Sequence, residues 1–139
     1  MPQHDDKTVL DNFTLIRALW PDWVVTEDGR EQLTWATFKD GHLEASCFIA
    51  EEVGGIEGFR AGILPILEKK WGFRPRIATI DAASVRAADL WIYRKPEEFD
   101  DNAAHVVICP SSGMSKTKYG RQAAGLKDRA TLSEKESEG

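Results

Sequence analysis

The segment that most constrains this chain is 104–129, AHVVICPSSGMSKTKYGRQAAGLKDR, an apolar run followed by a Pro/Ser/Gly loop and a basic stretch with helical spacing. His105-Val-Val-Ile-Cys109 is short, β-branched and bounded by Pro110, the pattern of a buried strand. Tyr119, Ala123, Leu126 and Ala130 then recur at three- and four-residue steps, which gives a helix over about 115–127 one inner side. The unit reads as strand, loop and helix, and most of the polar chemistry sits in the loop.

That loop suits an anion. A strand turning into a helix start presents amide N–H groups and the positive end of the helix dipole. Ser111, Ser112, Ser115 and Thr117 add hydroxyls, and Lys116, Lys118 and Arg121 add charge. It is not a Walker A loop, because Gly113 is followed by Met-Ser-Lys-Thr and the upstream glycine of that motif is absent. Nor is there a nucleophile elbow at the required spacing. A purely structural account stands beside the anion site: Ser115 caps the helix and the lysines are solvated. His105, at the head of the strand, is the candidate for proton transfer beside such a site, since imidazole titrates near neutrality in its free form. Cys109 follows Val-Val-Ile, which implies an inert buried thiol.

Charge sharpens this reading. The chain carries a formal net charge of −5, yet residues 114–129 hold five Lys or Arg against one Asp. An acidic average argues against a general nucleic-acid coat or an acidic lipid anchor, while allowing a local basic patch. Lys116, Lys118 and Arg121 lie in the first helical turns, where the dipole disfavours them, so something negative should offset them. A ligand, nucleic acid or the chain's own acidic loop from Glu97 to Asp101 could do so.

Ahead of that unit, Val9, Leu10, Phe13, Ile16 and Leu19 step by three and four, which predicts a helix over 7–19 that Pro21 ends. The WPDW cluster at 20–23 reads as a corner that turns two indoles onto the core, with a ligand platform as the alternative. Residues 23–26 form a strand, Glu27-Asp-Gly-Arg30 a hairpin turn, and 33–38 the returning strand, unless Trp35 and Phe38 belong to a helix. A second turn at 39–41 leads into a strand over 42–49 with Leu43, Ala45, Cys47 and Ile49 on one face. Either one helix runs over 56–70 with a kink near Pro65, or a shorter helix has Pro65 in its first turn, and Gly72 stops both. A strand at 76–80, a short helix at 82–88 capped by Asp81 or Ser84 and a strand at 90–94 precede an acidic loop at 95–102.

His42, Cys47, His105 and Cys109 comprise a set that zinc could use, but their spacing does not converge on one point. His42 and Cys47 fall on opposite faces of a strand, and His105 and Cys109 lie roughly 13 Å apart along another. No metal and no cofactor is expected. Two cysteines in apolar runs read as reduced, buried thiols. With no apolar run of signal-peptide type or bilayer length, the cytoplasm is the expected compartment.

The order W-x-V with a turn, T-W-A-T-F (34–38), L-E-A-S (43–46), D-N-x-A-H-V-V-I (101–108), S-K-T-K (115–118) and a small-residue helix resembles a loose group of small, uncharacterised bacterial cytosolic proteins. The likeness covers most of 20–126 and implies a bacterial cytosolic α+β domain, with no activity attached. Cys109-Pro110 and the longer Ser/Gly loop depart from the group's short glycine turn.

The expected fold is α+β, a mostly antiparallel sheet with about three helices packed on it, because strands come in runs. A single domain over 7–130 would follow a flexible segment 1–6 and precede a disordered acidic tail at 131–139. The leading functional reading is a small non-enzymatic binding or adaptor module with a protein partner, working through 111–121 and without a membrane. An enzyme on a phosphate-bearing, nucleotide-like substrate, with His105 in proton transfer, comes second. Nucleic-acid binding comes last, since no fingerprint accompanies the patch.

Overall fold

A computed structural model of the protein describes residues 4–39 and 43–133. His42 and most of the expected 39–41 turn lie outside the described residues, as do 134–139 of the expected tail.

The fold is α+β. Six strands form one antiparallel sheet: β1 (Thr14–Leu19), β4 (Ala45–Ile49), β5 (Arg76–Asp81), β6 (Leu90–Arg94), β7 (His105–Pro110) and β8 (Thr131–Leu132), in the order β6-β7-β4-β1-β5-β8. A separate hairpin pairs β2 (Val24–Glu27) with β3 (Arg30–Leu33) across Asp28 and Gly29, both with positive φ as a tight hairpin turn requires. Five helical segments are present among the described residues, more than the three expected: α1 (Ala50–Val53), α2 (Gly55–Gly62), α3 (Leu64–Trp71), α4 (Ala82–Ala87) and α5 (Lys116–Gly125).

Both faces of the sheet are covered. On one, Leu15, Cys47, Ile49, Val106 and Ile108 pack with Val85 of α4 and with Tyr119 and Ala123 of α5. On the other, Ile16, Ala18 and Phe48 pack with Phe59 of α2 and with Leu64 and Leu67 of α3. A strand buried on both faces has no polar alternation, and this explains the failure at 7–19. Residues 14–19 are a strand between β4 and β5, not the end of a helix. Val9, Leu10 and Phe13 completed a helical rhythm by coincidence, for Asp6 instead closes a turn by accepting from the Thr8 N–H and hydroxyl at 2.9 and 2.7 Å. Within the 1–6 segment, Asp6 thus makes its contact in a turn, and the Asp5 carboxylate accepts the Ile92 N–H of β6.

Three further stretches are decided by the structure. The returning hairpin strand ends at Leu33, and the residues after it form a single 3-10 turn, Trp35–Thr37. There the Thr37 carbonyl accepts from Arg17 Nε at 2.6 Å, so this backbone is satisfied without a strand. Of the two readings of 56–70, the shorter helix with Pro65 in its first turn and Gly72 as its stop is the one that forms, as α3, and the residues ahead of it form α2 up to Gly62. Finally, Thr131 and Leu132 are not tail: they pair with Thr79 and Ala78 of β5, and the Ser133 N–H adds a bond to the Ile77 carbonyl at 2.9 Å.

Candidate functional site

β7 delivers the chain to the predicted loop at Pro110. Ser111 opens it, its carbonyl accepting the Met114 N–H at 3.1 Å. Ser115 then caps α5: its hydroxyl accepts the Lys118 N–H at 3.1 Å. The helix is seated by Tyr119, buried, whose hydroxyl donates to the Ile108 carbonyl at 3.2 Å. That seating leaves Ser112, Ser115, Lys116, Thr117, Lys118 and Arg121 exposed and Ser111 half-buried. The predicted residues thus line the loop and the first turns of α5, with Lys116 on the Gly120 side of the helix and Lys118 toward Asp89. Ser115 spends its hydroxyl on the cap, and Lys118 reaches Asp89 at 3.5 Å. Among the acidic-loop residues, Glu98 turns to Lys95, which Glu44 also holds.

Two residues outside the predicted set join this surface. Lys39 crosses α5 at Gly120, so closely that a Cβ there would stand 2.9 Å from the Lys39 Cε. Its Nζ lies 5.4 Å over the ring of Trp35, whose side chain is 59% exposed. Lys116 is one turn from Gly120 on the same side of the helix.

His105 is elsewhere. It begins β7, roughly 16 Å from Pro110 at strand spacing. Its neighbours Val106 and Ile108 face α5, so its own side chain points to the other side of the sheet, against the contacting rings of Phe48 and Phe99 at 5.1 and 6.1 Å. The imidazole is 2% exposed, and both nitrogens are engaged. Nδ1 meets the Lys95 carbonyl at 2.7 Å and must carry the proton, because a carbonyl only accepts. The Nε2 lone pair then faces the Ser46 hydroxyl at 2.5 Å.

Ser46 is exposed, although β4 is otherwise buried. It opens into a cavity of about 130 Å³ that Arg17, Trp20, Trp23, Trp71 and Phe99 also line. The β1–β4 ladder holds only two residue pairs, Leu15 with Ile49 and Ile16 with Phe48. Beyond it Arg17 Nη1 takes the Ser46 carbonyl at 2.8 Å, and the guanidinium lies 4.7 Å from the Trp23 ring centre. At the rim Trp20, 42% exposed, stacks on Trp71 at 4.7 Å and meets Phe73 at 5.1 Å. The corner at Pro21 stands, but Trp20 walls a cavity rather than filling the core.

No group of three or more His, Cys, Asp or Glu that could hold a metal is found among the described residues. Cys47 pairs in register with Val106, and Cys109 lies on the opposite face of the sheet, so the two buried thiols cannot meet. Burial, with Glu44 and Asp5 adding to it, pushes the Cys109 thiol up to about 12, far from a reactive thiolate. No helix among the described residues is long and apolar enough to cross a membrane.

Sequence reasoning missed Ser46 and Arg17. The strand pattern did set Glu44, Ser46 and Phe48 on one face, but the pairing of Ser46 with His105 spans 59 residues and comes only with the β4–β7 register. The chain matches no known protein family, no curated protein and no solved structure.

Proposed function

We propose that this protein is a small binding module that holds an acidic partner segment against the first turns of α5, in a bacterial cytosolic complex as the motif resemblance implies. The observation that carries this reading is the position of Lys39, laid across α5 at Gly120 with its ammonium over the exposed Trp35 ring. It adds a cation to Lys116, Lys118 and Arg121, and it sets an apolar ring beside them. Carboxylates or phosphates would meet the amines, and an apolar residue of the partner would cover the indole, the pairing of charge with aromatic area that interfaces favour. The acidity of the rest of the chain confines such a partner to this patch.

An enzyme that used His105 beside the 111–121 loop is not favoured, because the imidazole lies at the other end of β7 and on the other side of the sheet. The test is anisotropy of a labelled Glu-rich peptide, with and without phosphoserine, against wild type and Lys39→Glu/Lys116→Glu/Arg121→Glu. Saturable binding that weakens at least tenfold in the triple variant and with added salt supports the module. Equal binding by both proteins removes the surface.

A further inference from the structure

We propose that Ser46 is a nucleophile, with His105 as its general base, and that the cavity above it takes a short-chain or aryl carboxylic ester. The inference is independent of the α5 surface, which lies on the other side of the sheet.

Three observations meet at this point. First, the hydroxyl is reachable: Ser46 is exposed and lines a cavity, whereas Ala45, Cys47, Phe48 and Ile49 around it are buried. Second, the imidazole is fixed at both ends, with Nδ1–H on the Lys95 carbonyl at 2.7 Å and Nε2 on the Ser46 hydroxyl at 2.5 Å. A base oriented by a third group, within hydrogen-bond reach of a hydroxyl, is the arrangement that activates serine. Phe48 and Phe99, in contact with each other, pack together against the imidazole and limit its rotation. Third, a cation stands at the same place. Arg17 lines the cavity and sits 2.8 Å from the Ser46 carbonyl, where its positive charge favours the negative charge that develops on an attacked acyl oxygen. A bond that only stapled β4 to β7 would need neither an opening to solvent nor a charge beside it.

The cavity limits the substrate. At about 130 Å³ it has room for one small ring or a short acyl chain. Trp20, Trp23, Trp71 and Phe99 line it, and that much aromatic area favours a flat, uncharged group. The chemistry then proceeds in two balanced steps. Ser46 Oγ bonds to the ester carbonyl carbon as its proton passes to His105 Nε2. The C–O bond to the alcohol breaks, and the leaving oxygen takes that proton. Water then attacks the acyl-serine, gives a proton to Nε2, and releases the carboxylic acid as the proton returns to Ser46 Oγ.

The experiment exposes the folded protein to a fluorophosphonate probe and to p-nitrophenyl acetate, and reads the modified residue by peptide mass spectrometry. Ser112, an exposed serine without an imidazole partner in the described structure, is the control within the same chain. The expected result is modification of Ser46 at least about 100-fold faster than Ser112, the scale of a positioned general base. Ser46→Ala should remove the label and the p-nitrophenol burst, and His105→Gln should slow labelling by a similar factor. If His105→Gln does not fold, the Ser46 to Ser112 ratio in wild type decides alone. A ratio near one, or equal labelling in a folded His105→Gln protein, overturns the proposal.

Discussion

Asp5 Oδ1 accepts the Ile92 N–H at 3.0 Å, and the next residue, Asp6, returns its own N–H to the Ile92 carbonyl at 2.8 Å. The N-terminal segment thereby occupies the open side of β6, the edge strand at one end of the sheet. Arg86 of α4 holds the same Asp5 carboxylate through Nε at 3.1 Å, so one side chain fastens an edge and a helix together. Asp5→Ala strands the Ile92 N–H and the Arg86 Nε, while Arg86 keeps Asp11 and the Asp6 carbonyl, and should cost about 1–3 kcal/mol in a urea melt. Asp5→Asn keeps an acceptor for Ile92 and should cost less. Equal stability of the alanine variant and wild type would show that water serves Ile92 as well.

Acid should find the same joint. Burial pushes Asp5 and Asp6 up, but the Ile92 and Thr8 bonds with Arg86 and Arg94 outweigh it and hold both below their ordinary 3.8. Glu52 is held below 4.5 first by its bonds to Arg94. A carboxylate with a lowered folded pKa adds stability above its unfolded value, and that stability is lost as pH falls through the folded one. Stability should therefore be level down to about pH 5 and decline below it. Cys109 acts at the other end with the opposite sign. Its thiol rises from 9.0 to about 12, so its contribution is complete below pH 9.0 and disappears as pH climbs toward 12. Cys109→Ala should flatten the alkaline limb and leave the acid limb unchanged, which melts across pH 3 to 11 would show.

Where punctuation bounded a segment, the fold was legible. Gly72 ahead of β5 and Pro110 at the end of β7 are local signals, and those strands stand where their residues implied. So does the Ser115 cap, because a cap is a three-residue affair. β1 was illegible for a physical reason: Thr14-Leu-Ile-Arg-Ala-Leu19 is covered on both faces, and its apolar run carries no period that separates strand from helix. The 111–121 surface could be read because its residues are neighbours in sequence. Lys39, Trp35 and Ser46 could not, since each reaches its partner only after distant segments have packed.

The glycines within 51–62 have different duties. A Cβ at Gly58 would overlap the Val53 carbonyl, so the end of α1 and the body of α2 can approach only with glycine there. Gly62 has nothing within 4 Å of the same atom. Gly58→Ala should destabilise by about 1–3 kcal/mol, the usual cost of overpacking. Gly62→Ala, four residues on in the same helix, should instead stabilise by about 0.5–1 kcal/mol through the entropy of the unfolded chain. Calorimetry of the two variants separates close approach from intrinsic propensity, and a matching sign for both would refute the assignment.

Gly120 gives the sharpest test of the binding surface, because stability and affinity should move independently there. The three atoms nearest an added Cβ all belong to the far end of Lys39, an exposed and flexible side chain that can swing into solvent. Replacing glycine within α5 by alanine should then raise stability by up to about 1 kcal/mol. Displacing Lys39 from Trp35 removes one cation from the patch, which at moderate salt should weaken binding of a Glu-rich peptide about two- to fivefold. Lys39→Met should reproduce that weakening without the gain in stability. A Gly120→Ala protein that melts higher and binds as wild type does would exclude Lys39 from the surface, leaving Lys116, Lys118 and Arg121 to account for any affinity.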